Sequence, residues 1–347
     1  MSWRVKFRRK LVQILFFLRP VIWLLAVLLV MGGLIWFIPK LRPALKIFTV
    51  INPAITSLDS FRGRANILLL GIAGGSHDGA DLTDSIMLVS VNTTTSDTVL
   101  LSLPRDIWVE SLMAKLNTAY HYGESRESGG GLVLAKAAVS EVINQPVHYA
   151  VLLDFSGFAK AIDAIGGVTV NIPRGFIDEK YPIPGKETAE PESGRYEILR
   201  FSSGRQTLDG ATALKYVRSR YAQGEEGTDF NRAQRQQRVL LAFRDKVLSS
   251  AVLLHPGKIK ALLRELKTTI KTDLPARTYP DLVKLALRIN QAGLRTGVLD
   301  EGSRREDIPP LLYNPPSNLY GQWVLLPVNN NWQAVYDHVA EILYQNR

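Results

Sequence analysis

The chain has 347 residues, of which 46% are hydrophobic, contains no cysteine, and carries a formal net charge of +10 at pH 7. This composition excludes a disordered chain, a disulfide-stabilised fold and any metal or catalytic site built from thiolates. The charge does not indicate nucleic-acid binding, because nine cations and no carboxylates lie within residues 1–46, which leaves about +1 for the remainder.

The first predicted element is a membrane anchor. Residues 21–38 form an uncharged apolar run, which with its apolar flanks reaches about the 20 residues that span a bilayer as a helix. Six cations precede the run and three follow it, a bias that predicts a cytoplasmic segment at 1–20 and a single-pass protein of the plasma membrane with an extracellular domain. A cleaved signal peptide is the competing interpretation, but no small-residue cleavage site follows the run.

After the anchor, the sequence predicts a stalk at 39–63 and one outer domain at 64–347, with a core at 64–250 and a C-terminal part at 251–347. Short apolar runs bounded by turn residues predict buried strands. They lie at 66–72, 85–91, 98–104, 148–155, 167–173 and 321–328. Residues 174–200, rich in Pro, Gly and Glu, are predicted to form a long surface excursion.

Apolar residues at helical spacing predict the helices of the domain. They lie at 130–144, 156–166, 208–220, 230–250, 257–270, 279–292 and from Trp332 onward. Asp209 and Asp229 stand where N-caps are expected. Strands alternating with helices predict the α/β class, as a layered α-β-α domain on a central mixed β-sheet.

Acidic and arginine side chains stand at the ends of these elements. They are Asp84, Arg105, Asp106, Arg218, Arg220, Asp229, Arg232 and Gln236. Guanidinium groups bind phosphate through paired hydrogen bonds, and a carboxylate beside them makes sense as the ligand of a divalent cation on the same phosphates. The pattern favours a pyrophosphate site, although an arginine-rich helix start, an aspartate cap and a PRD turn each have ordinary structural explanations. His121 is interpreted as a hydrogen-bonding loop residue and not as a catalyst.

Six ordered segments resemble one known family. They are TDSIMLVSVN, LLSLPRDIWV, KLNTAYHYG, LLDFSGFAKAIDAIGGVTVNIP, LDGATALKYVRSR and DFNRAQRQQRVL. Their order and spacing resemble the LytR-CpsA-Psr family, closely over about residues 64–250. The resemblance implies an α/β sandwich with a groove for a lipid tail. It also implies Mg²⁺-dependent transfer of a glycopolymer, such as teichoic acid or capsule, from undecaprenyl pyrophosphate to peptidoglycan. Attack by water in place of an acceptor would make the same protein a lipid pyrophosphatase.

The resemblance also implies roles for individual residues. Asp84 matches a magnesium-associated carboxylate. The residues that match pyrophosphate-binding positions are Arg105, Arg218, Arg220, Arg232 and Gln236. Asp106 and Asp229 match acidic positions of the same motifs, and either is a candidate to accept the proton of the attacking hydroxyl.

The chain departs from the family pattern in the stretch before the second strand. Ala73 stands where family members carry a metal-binding carboxylate, and Leu82 and Thr83 replace an Arg-Ser pair. The available substitutes are His77, Asp78 and Asp81. Asp78 or Asp81 is favoured, because Mg²⁺ prefers oxygen ligands. If the change at Ala73 abolishes metal binding, the alternative function is a non-catalytic wall-associated regulator or glycopolymer-binding protein.

Overall fold

The computed structural model describes a mixed α/β fold over residues 57–75, 79–183, 185–186, 188–288, 294–299 and 310–344. The predicted cytoplasmic segment, the transmembrane helix at 21–38 and most of the stalk lie outside these residues, as do His77 and Asp78. Among the residues that are described, none of the helices combines the length and the apolar character that crossing a bilayer demands.

The strands are short, and the longest of them lie in one sheet. In chain order they are β1 (Arg64–Ile72), β2 (Thr83–Asn92), β3 (Thr98–Leu103), β4 (Trp108–Val109), β5 (Ala114–Lys115), β6 (Tyr149–Asp154), β7 (Val168–Ile172), β8 (Phe176–Pro182), β9 (Tyr196–Phe201), β10 (Gly204–Leu208), β11 (Ile270–Thr272), β12 (Leu294–Val298), β13 (Leu312–Tyr313) and β14 (Leu326–Pro327).

The α-helices lie between and after these strands. In chain order they are α1 (Ala119–Arg126), α2 (Gly130–Ile143), α3 (Phe155–Ala164), α4 (Gly210–Arg218), α5 (Asp229–Val247), α6 (Ser250–Leu253), α7 (Pro256–Thr269), α8 (Tyr279–Arg288) and α9 (Trp332–Tyr344).

The central sheet is mixed, as the sequence predicts. Its strand order is β11-β6-β1-β2-β3-β12. β1 pairs antiparallel with β2 and parallel with β6, while β3 pairs antiparallel with β2 and parallel with β12. β1 is almost wholly buried, because both faces of the sheet are covered.

Alternate residues of the sheet enter different hydrophobic clusters, as the two-residue period of a strand requires. Leu68 and Leu88 pack with apolar residues of α2 and α9 on one face. Ile67 and Val91 belong to a cluster with Leu285 of α8. A further cluster joins α3, α4, α5 and α7 to β7 and to the β8–β9 pair. Helices therefore contribute to the packing of both faces.

Three predictions about local structure are corrected. Residues 174–200 are not simply a surface excursion, because β8 and β9 form an antiparallel pair that buries Phe176 and Phe201. Asp209 does cap α4 by accepting from the Thr212 N–H, whereas α5 is capped by Thr228 and Asp229 is its first residue. The late strand predicted at 321–328 is confined to β14.

The end of the predicted stalk belongs to the folded domain. Leu58 is buried in the cluster with Tyr149 and Leu285. The Ser57 backbone N–H donates to Asp281 Oδ2 at 3.0 Å, and the Asp59 N–H donates to the Tyr149 hydroxyl at 2.7 Å. The last residues assigned to the stalk accordingly pack against the folded domain.

Candidate active site

Asp84 lies at an irregularity in the pairing of β1 with β2. Gly71 pairs with Ser85 and Ile72 pairs with Thr83, so Asp84 is the extra residue of a bulge. Bulges commonly redirect a side chain at the edge of a functional site. Asp84 Oδ1 accepts hydrogen bonds from Arg105 Nη1 and, at 3.1 Å, from Arg220 Nη2. Residues from β2, from the turn after β3 and from the loop after α4 thus meet at one carboxylate.

The charges around Asp84 hold it ionised. Burial acts to raise its pKa, but Arg105, Arg220 and Arg232 outweigh burial, so the pKa of Asp84 lies below its ordinary value. Burial acts in turn to lower the pKa of Arg105, and Asp84, Asp106 and Asp229 outweigh it, so the pKa of Arg105 is raised. These groups therefore form one electrostatic cluster.

Asp106 holds two of the cations in place. Its side chain is only 9% exposed, and it accepts from Arg105 Nε at 3.3 Å and from Lys115 Nζ at 2.9 Å. Lys115 was not identified from the sequence, although it opens the segment KLNTAYHYG that carries part of the family resemblance. The sequence around Lys115 does not indicate that its side chain contacts the turn after β3.

Arg232 lies on the first turns of α5 and is almost completely buried. Its Nη1 pairs with Asp229 Oδ1 at 2.6 Å, but the Asp229 side chain is 56% exposed. Burial, together with the neighbouring Arg220 and Arg105, lowers the pKa of Arg232 to about 10 against the opposing effect of Asp229 and Asp84. The nearby carboxylates therefore do not fully balance the positive charge around this guanidinium.

Gln236 follows one helical turn after Arg232 and faces the same site, as the four-residue spacing predicts. Its Oε1 accepts from the Ser85 hydroxyl at 2.9 Å, next to Asp84. The neighbouring Gln237 fixes α5 against the sheet by donating to Ser102 Oγ at 2.9 Å and to the Gly297 carbonyl at 3.0 Å. α5 is therefore anchored where it presents both residues to Asp84.

Two sequence-predicted residues make their described contacts with side chains outside the Asp84 cluster. Arg218 is exposed at the end of α4, near the Tyr181 ring, and within the described residues it forms no ion pair with the Asp84 cluster. Asp81 Oδ2 lies 2.8 Å from His121 Nδ1, in line with the hydrogen-bonding role expected for that histidine. Asp78 lies outside the described residues, so its relation to Asp84 stays a prediction.

The described residues contain no group of three or more His, Asp or Glu side chains arranged to hold a metal ion. Both arginine contacts of Asp84 fall on Oδ1. Its other carboxylate oxygen fits the way Mg²⁺ is usually held beside phosphates, through one or two carboxylates with water and phosphate oxygens completing the shell.

The cluster carries more positive than negative charge. Its cations are Arg105, Lys115, Arg220 and Arg232, and its carboxylates are Asp84, Asp106 and Asp229. The excess is concentrated on planar guanidinium groups, whose paired donors match phosphate oxygens. The arrangement can bind a phosphate or pyrophosphate and stabilise charge that develops on its oxygens.

The chain is similar to several known proteins. A model of the LytR_cpsA_psr family matches residues 49–301. A polyisoprenyl-teichoic acid–peptidoglycan teichoic acid transferase TagU of Oceanobacillus iheyensis is 33% identical over 250 residues, covering 70% of this chain and 68% of the relative. A TagU of Enterococcus faecalis is 29% identical over 233 residues, covering 65% of this chain and 66% of the relative. The chain thus spans about two thirds of the length of these relatives.

The fold also occurs in a solved structure. The crystal structure of Bacillus subtilis TagV superposes with a TM-score of 0.56 at 23% sequence identity, covering 83% of this chain and 100% of that one. This likeness confirms the predicted mixed α/β fold.

Proposed function

The chain belongs to the LytR-CpsA-Psr family, and from this premise we propose that it is a transferase that moves a glycopolymer of the teichoic acid class from a polyprenyl-pyrophosphate carrier to peptidoglycan. The names of two relatives, polyisoprenyl-teichoic acid–peptidoglycan teichoic acid transferases, support the reaction class. The Asp84 cluster supports the pyrophosphate as the group of the substrate that reacts.

One observation carries the assignment of the cluster to a pyrophosphate. Arg232 is a buried cation beside Arg105 and Arg220, and its pKa is lowered to about 10 by burial and by those neighbours. A site that keeps a guanidinium under such conditions is stabilised when an anion enters and supplies the missing negative charge. A pyrophosphate between the three arginines provides that charge.

The proposed reaction is a phosphoryl-group displacement. A hydroxyl of peptidoglycan attacks the polymer-proximal phosphorus, the bond from that phosphorus to the bridging oxygen breaks, and the lipid phosphate leaves. Arg105, Arg220 and Arg232 neutralise the charge on the phosphoryl oxygens and on the leaving phosphate. Because Asp84 and Asp106 already hold Arg105, and Asp84 holds Arg220, these donors need little rearrangement as the charge develops.

Asp229 is the better candidate to accept the hydroxyl proton. Asp106 is buried and both of its oxygens are occupied by cations. Asp229 is more than half exposed and pairs with Arg232. An incoming acceptor can reach Asp229 without displacing a buried contact, and a general base must come within hydrogen-bond reach of the proton it removes.

We also propose that Mg²⁺ takes part, held by Asp84 and by the pyrophosphate, with Asp78 or Asp81 as a further ligand. When bound, the ion would offset phosphate charge. Asp81 contacts His121 through Oδ2, so the ion would bind its other carboxylate oxygen. The predicted anchor at 21–38 would place the domain at the outer surface of the plasma membrane, where carrier and peptidoglycan meet.

The test uses the full chain in detergent micelles, a polyprenyl-pyrophosphate-linked saccharide and peptidoglycan, with and without Mg²⁺. Arg232→Ala should lower turnover by about 10²–10³-fold, because it removes a preorganised donor to developing charge. The matched control is Arg264→Ala, since Arg264 is exposed on α7 and pairs with its neighbour Glu265, and it should keep wild-type turnover.

A folded wild-type protein that neither transfers the saccharide nor hydrolyses the pyrophosphate would overturn the enzyme assignment. A glycopolymer-binding protein would instead retain the saccharide without turnover. If its binding site lay elsewhere, that retention would be the same in Arg232→Ala as in the wild type.

A further inference from the structure

Two buried, oppositely charged side chains enclose the segment that carries Arg220. Asp178 of β8 and Arg235 of α5 are both fully buried. Within the described residues, neither forms an ion pair or hydrogen bond with Asp84, Arg105 or Arg232. A buried charge is costly unless its hydrogen bonds are satisfied, so the partners of these two groups indicate what they hold in place.

Asp178 fixes the backbone on either side of Arg220. Its Oδ2 accepts from the Ser219 hydroxyl at 2.6 Å, from the Arg220 N–H at 3.2 Å and from the Tyr221 N–H at 3.2 Å. Its Oδ1 accepts from the Lys180 N–H at 3.0 Å, which fixes the carboxylate to its own strand. β8 therefore acts as the support for the loop after α4.

Arg235 binds backbone carbonyl groups at the end of α4, in the same loop and just before α5. Its Nε donates to the Tyr216 carbonyl at 3.0 Å, its Nη2 to the Ser219 carbonyl at 2.7 Å, and its Nη1 to the Glu226 carbonyl at 2.6 Å and to the Glu226 carboxylate at 3.1 Å. The guanidinium also lies over the Phe176 ring, 4.9 Å from its centroid. Asp178 thus binds N–H groups of the loop, and Arg235 binds carbonyls in the loop and beside it.

We propose that Asp178 and Arg235 are positioning residues that preset Arg220 for the phosphate, an inference that rests on the function proposed above. Arg220 is partly exposed, and its guanidinium reaches Asp84 Oδ1 from a loop whose described backbone pairing is one isolated bridge, between Ala222 and Asp178. Without the two buried charges the loop would sample other conformations, and Arg220 would have to be ordered during each turnover. Misplacement of a catalytic group by about 1 Å lowers rates by about 10²-fold.

The experiment is a double-mutant cycle in the full chain, with the transfer assay and a thermal melt for every variant. Asp178→Asn should lower kcat by about 10–100-fold with a smaller change in KM, because substrate still meets Arg105 and Arg232. In the Arg220→Ala background, Asp178→Asn should lower kcat little further, because the side chain that Asp178 positions is already absent. A role limited to stability would instead lower turnover by the same factor in both backgrounds.

Ser219→Ala is the milder variant, and it decides the question if Asp178→Asn fails to fold. It removes one hydrogen bond to Asp178 and leaves that carboxylate its three N–H donors. It should lower kcat by about 3–10-fold in the wild-type background and have no effect in Arg220→Ala. Equal losses in both backgrounds, or no loss in either, would overturn the inference.

Asp97→Asn serves as the control. Asp97 is a carboxylate held by Arg64 and Arg295, outside the Asp84 cluster, so its loss should lower the melting temperature but not kcat. Inactive wild-type protein would contradict the proposed function itself, whereas active wild-type protein with a purely additive cycle would contradict only the positioning role.

Discussion

At the scale of single residues, burial assigns different roles to two carboxylates that the sequence alone does not distinguish. Asp106 follows Arg105 and Asp229 precedes Arg232 by three residues, each in a family-like motif, so the chain order does not say which one accepts a proton. The structure places Asp106 between two cations in the interior and Asp229 at the surface of the same cluster. Asp106 is therefore suited to holding Arg105 and Lys115, and Asp229 to meeting an acceptor.

Replacing each carboxylate by its amide should give different kinetic defects. Asp229→Asn should lower kcat by about 10²–10⁴-fold with an intact fold, because it removes the proposed base from an exposed position. Asp106→Asn should raise KM and lower the free energy of unfolding by about 1–3 kcal/mol, because one of the two cations loses its acceptor oxygen and both lose the buried negative charge. Steady-state kinetics and urea unfolding measure both effects. Wild-type kcat in Asp229→Asn, together with lost kcat at unchanged KM in Asp106→Asn, would reverse the two roles.

At the scale of elements, the strands of the central sheet were predictable and the β8–β9 pair was not. β1 and β3 are apolar runs because both sheet faces are covered, and such runs are evident from sequence alone. In β8 the inward positions include Asp178, and a register shift between Asp178 and Tyr181 interrupts the alternation. A buried carboxylate within a stretch rich in Pro, Gly and Glu is not recognisable as part of a core.

Some residues of the candidate site were likewise predictable from the sequence, and others were not. Asp84, Arg105, Arg220 and Arg232 were predicted because family-like motifs place them at element ends, and the structure brings them together. Arg218 belongs to the same motif but is exposed as the last residue of α4, whereas Arg220 lies in the loop that follows. The direction in which each side chain points depends on where the helix ends, and helical spacing alone does not predict it.

The contact between α3 and α7 gives a prediction about element packing. A Cβ on Gly157 would lie 1.9 Å from Thr269 Cγ2, so the two helices approach closely only because residue 157 is glycine. Gly157→Ala should lower the free energy of unfolding by about 1–3 kcal/mol through overpacking. Gly257→Ala in the first turn of α7 meets no atom within 4 Å and should leave stability unchanged or raise it by up to about 1 kcal/mol. Equal urea midpoints for the two variants would contradict the close approach.

At the scale of the whole molecule, the start of the described chain is tied to a helix far along the sequence. Asp281, near the start of α8, accepts from both the N–H and the hydroxyl of Ser57, and its other oxygen accepts from Lys284 Nζ at 2.9 Å. Leu58 fills a buried position beside this contact. These contacts hold Ser57 and Leu58, the first described residues, against α8.

The tie should make stability depend on pH in a defined window. Burial acts to raise the pKa of Asp281, but the hydrogen bonds from Ser57 and Lys284 outweigh it and lower the pKa from 3.8 to about 2. Because the folded-state pKa is the lower one, the ionised group stabilises the fold fully above the unfolded pKa, and this contribution is lost as pH falls from about 4 to about 2.

Asp281→Asn should therefore lower the free energy of unfolding by about 2 kcal/mol at pH 7, from about 1.4 kcal/mol per pKa unit, and the gap to the wild type should close between pH 4 and pH 2. Urea unfolding of both proteins at pH 7, 5, 3 and 2 measures the gap. Asp337→Asn, at an exposed position of α9, should change stability by less than about 0.5 kcal/mol throughout. A gap that persisted at pH 2 would show that Asp281 acts through packing and not through its charge, because at that pH about half of the folded-state carboxylate is already protonated.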